Sequence, residues 1–175
     1  DDAIGEAFDK SGKMLGLGYP AGPQIDQLSK KGDPKKFPFP IPKAPNLNYS
    51  FSGFKTAVLY FIQREVKKNP DFVKENLHDI CASIQHNLIK ILLQKIEKEV
   101  KETGINTVAM GGGVSANSGI RSRLTSYNQK GWNTFVPPFA YTTDNAAMIG
   151  ISGYFKYLDG YTAGMEITAS PRISM

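Results

Sequence analysis

The sequence predicts an α/β fold, a mixed sheet with flanking helices, and three observations carry that reading. Thr107 to Met110 is short, apolar and β-branched, as a buried strand is, and it runs directly into Gly111, Gly112 and Gly113, where the absence of Cβ atoms permits a sharp turn. A second strand is predicted at Thr134 to Val136, stopped by Pro137 and Pro138, with a helix start at Thr142-Thr143-Asp144-Asn145 behind it. Upstream of both, apolar residues recur at the helical interval through most of the chain.

The elements follow in order. Asp2 to Leu15 sets Ile4, Ala7, Phe8 and Leu15 on one stripe, with Gly16 as a stop. On this helix Glu6 and Asp9 lie on neighbouring parts of one face, where such acids either meet a ligand's hydroxyl or amine together or stay solvated, the commoner case. LGYPAGP is an ordered turn in which Gly22 lets a backbone approach a ligand closely, and Gln24 to Lys31 makes a brief helix before Gly32. The prolines and lysines between Gly32 and Pro45 sustain neither helix nor central strand and form an extended surface connection. Leu47, Tyr49 and Phe51 alternate with Asn48, Ser50 and Ser52, so a half-buried strand is predicted to Gly53, where the chain turns. Phe54 to Lys68 and Phe72 to Thr103 are periodic helices, the second with room for a break near His78 and capped by Gly104. After the glycines a helix is expected from near Asn117, a good N-cap residue with Ser118, to just before Gly131. A last helix runs toward Leu158, and the tail beyond it has no readable role.

Composition narrows the functional classes. The 175 residues suffice for one domain with a proper core or one lobe of a larger enzyme, and the start at Asp1 without Met suggests a fragment. A single cysteine, Cys81, excludes an internal disulfide framework, no apolar run approaches the roughly 20 residues of a membrane span, and a cytoplasmic setting is expected. The net charge of +5 permits an acidic partner such as nucleic acid. Lys30, Lys31, Lys35, Lys36, Lys67 and Lys68 could meet phosphates, although lysine runs are more often solvated surface.

The candidate chemistry centres on VAMGGGVSANSGIRSRL. A strand, a glycine turn and a helix start aim free N–H groups and the positive end of a helix dipole at one point, which suits a phosphate or carboxylate. The same turn also occurs for packing alone, and the fixed Walker and dinucleotide spacings are absent. His78 and His86 are eight apart, unlike the i, i+4 metal pair of a single helical face, and read as structural or surface groups. Asp144 reads either as an N-cap carboxylate or as a metal ligand at a helix end.

DDAIGEAFDK, LGLGYPAGP, NYSFSGFKTAVL, MGGGVSAN and TTDNAAMIG stand in an order and spacing that resemble the TsaD family, over about residues 1 to 158. The resemblance implies an actin-like, Hsp70 and sugar-kinase type fold of two lobes closing over a nucleotide-like ligand, with this chain, residues 1 to 175, as a single C-terminal lobe. It implies transfer of the threonylcarbamoyl group from threonylcarbamoyl-adenylate to the tRNA adenosine beside the anticodon, in the cytoplasm, with partners of the TsaB and TsaE type and no membrane. By motif match, Asp9, Gly22, Asp26 and Asn117 would contact the adenylate, and Asp144 would be this lobe's ligand to one divalent metal, iron. No catalytic residue is assigned within the chain.

Departures are mild: Ala21 for glycine in the YPGGP pattern, Phe54 for leucine in SFSGLK, and Thr142 where cysteine often precedes TDN. The family's HxxxH metal motif and first phosphate-binding segment would lie in the other lobe, so the isolated chain is expected to be inactive and to bind metal and adenylate weakly. Two alternatives stand beside this reading. One is a non-catalytic scaffold paralogue, disfavoured by retention of Asn117 and Asp144. The other is the older metallopeptidase assignment, for which no HExxH and no Ser or Cys nucleophile with a placed base is found.

Overall fold

In a computed structural model, residues 2–168 are described. The chain divides after Thr142 into two compact units. The first holds helices α1 (Ile4–Met14), α2 (Gly22–Ser29), α3 (Phe51–Lys68) and α4 (Phe72–Thr103), then strand β1 (Thr107–Ala109), helix α5 (Ser118–Thr125) and strand β2 (Asn133–Phe135). The second holds α6 (Ala146–Leu158). The α/β class therefore holds, but in place of the expected mixed sheet the described residues form a two-stranded parallel pair with Val108 opposite Thr134.

The helices are those the periodicity demands. Phe54, Val58 and Ile62 of α3 meet Ile80, Ile84 and Leu88 of α4, with Phe8 of α1 and Ile25 of α2 closing the core. α4 continues through residue 103 with one irregularity at Asn76 (φ −118°, ψ 16°), where the Asn76 amide donates to the Phe72 carbonyl. This is the predicted break, two residues before His78, and Gly104 caps the helix at φ +72°.

Four expectations are corrected. Residues 47–53 form no strand: Phe51 already belongs to α3, because its ring falls on the same helical stripe as Phe54 and Val58. Gly53 consequently does not turn the chain. It lies in the first turn of α3, where a Cβ would come within 3.2 Å of Pro42. The proline-rich connection is not purely superficial, since Phe39 is buried and stacks edge-on against Phe54 and Phe61, at 5.7 and 5.1 Å between ring centres. Finally, β1 is not buried: Thr107 and Ala109 are exposed on one face and only Val108 is partly covered on the other.

Gly32 shows how tightly the connection is fastened. A Cβ there would collide with the His78 carbonyl of α4. Beside it the Asp79 carboxylate accepts from the Asp33 N–H (2.8 Å) and pairs with Lys36 (2.7 Å).

Candidate functional site

The first unit is organised by two carboxylates, each seated at the start of another helix. Asp9 faces the start of α2, whose N-cap position is Ala21 and carries no capping side chain. Asp9 Oδ1 fills that role from outside, accepting from Ala21 N–H (2.8 Å) and Gly22 N–H (3.2 Å). Its second oxygen accepts no hydrogen bond among the described residues. Ala21 itself is packed against Gly12, where any larger residue would collide with its methyl group.

Asp26, one turn along α2 from Gly22, repeats the arrangement at α5. Its Oδ2 accepts from Ser118 N–H (3.0 Å), and its Oδ1 accepts from the Ser118 hydroxyl (2.8 Å) and from Gln85 Nε2 (3.1 Å). Asn117 is the N-cap of α5, as predicted: Oδ1 accepts from Ile120 N–H (3.0 Å), while Nδ2 donates to Gln85 Oε1 (2.8 Å). Gln85 thus joins Asp26 to Asn117, and α4 approaches so closely here that a Cβ on Gly119 would lie 2.8 Å from its amide.

Of the predicted residues, Asp9 and Gly22 touch directly, and Asp26 and Asn117 are joined through Gln85 and Ser118. Glu6 does not act with Asp9; it pairs with Lys10 and lies 3.6 Å from Lys55, whose ammonium also holds Asp2. Gln85 was not singled out from sequence. The available signal was a run of polar side chains, Ser83, Gln85 and Asn87, at positions of α4 that the structure buries.

The expected anion cradle at the head of α5 is modified. The glycines lead first into a 3-10 turn (Gly113–Ala116), and the start of α5 is already faced by an anion of the protein itself, Asp26. The glycine turn remains open. A Cβ on Gly111, Gly112 or Gly113 would meet nothing within 4 Å, and Gly112 has φ +78°. Among the described residues no acceptor meets the Gly111 or Gly112 N–H.

Asp144 belongs to the second unit. Asn145, not Asp144, caps α6, with Oδ1 accepting from Met148 N–H (3.1 Å). The N-cap reading of Asp144 is therefore replaced, and its carboxylate is exposed with no hydrogen-bonded or ionic partner among the described residues. Those residues contain no cluster of three or more His, Cys, Asp or Glu able to hold a metal ion, so a metal at Asp144 would need ligands they do not supply. Cys81 is buried, and that burial pushes its thiol up to about 12, away from the reactive thiolate form.

This architecture defines an α/β domain with a glycine turn ahead of α5 and a carboxylate at the start of each of α2 and α5. The profile of the family described as TsaD: tRNA N6-adenosine threonylcarbamoyltransferase matches residues 1–151, and the chain belongs to that family. It is 64% identical over 173 residues to the tRNA N6-adenosine threonylcarbamoyltransferase of Christiangramia forsetii, covering 98% of this chain and 51% of that protein. The proteins of the same name from Cytophaga hutchinsonii (52% identity over 99% of this chain and 51% of that protein) and Thermotoga neapolitana (43% over 100% and 52%) match in the same way. The chain spans about half the length of these relatives.

Proposed function

We propose that this chain forms one wall of the cleft of a tRNA threonylcarbamoyltransferase with an actin-like, two-lobed fold. In this reading threonylcarbamoyl-adenylate lies against the open glycine turn and the α2 start; the N6 amine of a tRNA adenosine beside the anticodon forms the new C–N bond as the acyl–phosphate bond breaks, releasing AMP and a proton. The observation that carries the proposal is the 64% identity, across 98% of this chain, to a protein of that name.

The geometry supports particular roles. The unpartnered Asp9 oxygen accepts from a ribose hydroxyl, and Gly22, whose N–H is held by that carboxylate, borders the ligand through its backbone at the start of α2. The free Gly111 and Gly112 N–H groups donate to the adenylate phosphate. Asp26 and Asn117 have hydrogen bonds of their own within the fold, so they shape this wall and meet the ligand at its edge. Asp144 contributes one carboxylate to a divalent metal, iron, whose other ligands lie outside the chain; when bound, that metal supplies Lewis-acid polarisation. The TsaB- and TsaE-type partners and the cytoplasmic setting belong to the same reading. No helix among the described residues is long and apolar enough to cross a membrane.

The test uses the full-length protein with threonylcarbamoyl-adenylate and unmodified tRNA. Asp144→Ala is expected to abolish transfer with AMP binding retained, and an unchanged rate removes Asp144 from the mechanism. The isolated chain is expected to bind AMP weakly in calorimetric titration; tight stoichiometric binding refutes the half-cleft reading.

A further inference from the structure

Beyond its crossing with α4 at Gly119, α5 diverges and leaves an open groove of about 630 Å³ between the two helices. Its lining includes none of Asp9, Gly22, Asp26 or Asn117. From α4 come His86 and, one turn further, Lys90; from α5 and the following turn come Arg123 and the hydroxyls of Ser122 and Ser126. All five side chains are exposed.

The groove carries two cations, Lys90 and Arg123, against one carboxylate, Glu97. Neither Lys90 nor Arg123 has an ion-pair partner among the described residues, whereas Lys36 and Lys68, two of the lysines prominent in the sequence, are engaged by Asp79 and Glu65. The acidic side chain among those lining residues is Glu97, and the Tyr127 hydroxyl donates to it. Partial burial, followed by repulsion from Lys90, Arg123 and Lys35, holds the His86 imidazole below its ordinary value. A set of unpaired cations in a concave, hydroxyl-lined surface raises the local potential and attracts polyanions.

We propose that this α4–α5 groove is a docking track for the phosphodiester backbone of the tRNA substrate, with Lys90 and Arg123 as its phosphate contacts and Ser122 and Ser126 as donors beside them. The proposal rests on the tRNA-modifying reading above. An open track fits a phosphate polymer better than a free phosphate, because its cations are exposed along two elements and none is buried in a closed cage. The groove positions the nucleic acid without reading bases, so its contribution is electrostatic and salt-dependent.

The experiment measures tRNA affinity of the full-length protein against salt concentration for wild type, Lys90→Ala/Arg123→Ala and, as a control elsewhere, Lys101→Ala, an exposed lysine outside the groove. AMP binding and transfer kinetics are followed in parallel. The double variant is expected to lose on the order of tenfold in tRNA affinity and to lower the log–log salt slope by roughly 2, about 1 for each lost phosphate contact. The KM for tRNA should rise while AMP binding, kcat and thermal stability stay unchanged; Lys101→Ala should behave as wild type. Unaltered affinity and slope in the double variant, with wild type active, overturn the groove and leave the transferase reading intact. A wild-type protein that neither binds tRNA nor transfers to it overturns both. Loss of an acidic protein partner's binding, with tRNA binding unaltered, likewise refutes the proposal.

Discussion

Replacing Asp26 with alanine removes three hydrogen bonds in a single step, two from Ser118 at the start of α5 and one from Gln85 of α4. The Ser118 N–H loses a charge-assisted bond, worth about 1.5 kcal/mol at a half-buried site. The helix loses a negative charge at its positive end, about 0.5 kcal/mol. The Ser118 hydroxyl turns to water at a cost of roughly 0.5 kcal/mol, and Gln85 keeps a partner in Ser29 Oγ at 2.9 Å, so its amide adds little. The expected destabilisation is therefore about 2.5 kcal/mol, or a fall of roughly 5–10 °C in melting temperature for a chain of this size. Urea denaturation of the 175-residue chain followed by circular dichroism measures it. Ser118→Ala, alone and combined with Asp26→Ala, completes a cycle whose coupling should be about 0.5–1 kcal/mol. A cost within about 0.5 kcal/mol of zero for Asp26→Ala, or no coupling, refutes the view that this carboxylate holds α5 in place.

Two further outcomes follow from packing and titration. Gly32→Ala should cost about 3 kcal/mol or more, because the obstacle is the α4 backbone at His78, which cannot swing aside; a loss under about 1 kcal/mol in the same denaturation experiment contradicts this close approach. Burial, then the hydrogen bond to Glu97, pushes the Tyr127 hydroxyl up to about 12. The neutral phenol is thus favoured by folding, and its contribution is complete below the unfolded value of about 10 and is lost as pH rises toward 12. Tyr127→Phe should flatten the decline of stability across that alkaline window, as read by denaturation at fixed pH.

What could be read from sequence was local. The α3 and α4 periodicities, the Gly104 stop and the Asn117 cap each depend on residues within a turn or two of one another, and the fold retains all four. The strand at 47–53 failed because three alternating apolar residues are too short a pattern to compete with the longer helical stripe that shares Phe51. The Asp26–Ser118 and Asn117–Gln85 bonds were invisible for a different reason: they join segments far apart in the chain, and no local pattern encodes which carboxylate will meet which helix. Lys90 and Arg123 were passed over likewise. Neither lies in a lysine run, and only the crossing of α4 with α5 brings them to one groove.

The open glycine turn has an energetic consequence. A glycine surrenders more chain entropy on folding than alanine does, roughly 0.5–1 kcal/mol each. At Gly112 the left-handed backbone accounts for that expense. At Gly111 and Gly113 there is neither a positive φ nor a neighbour that a methyl group would strike. Internal packing of the described residues therefore gives no return for keeping those two positions bare. Under the proposed adenylate-binding reading these two bare positions serve as clearance, so alanine at 111 or 113 should leave the fold unharmed while weakening AMP binding by the full-length protein.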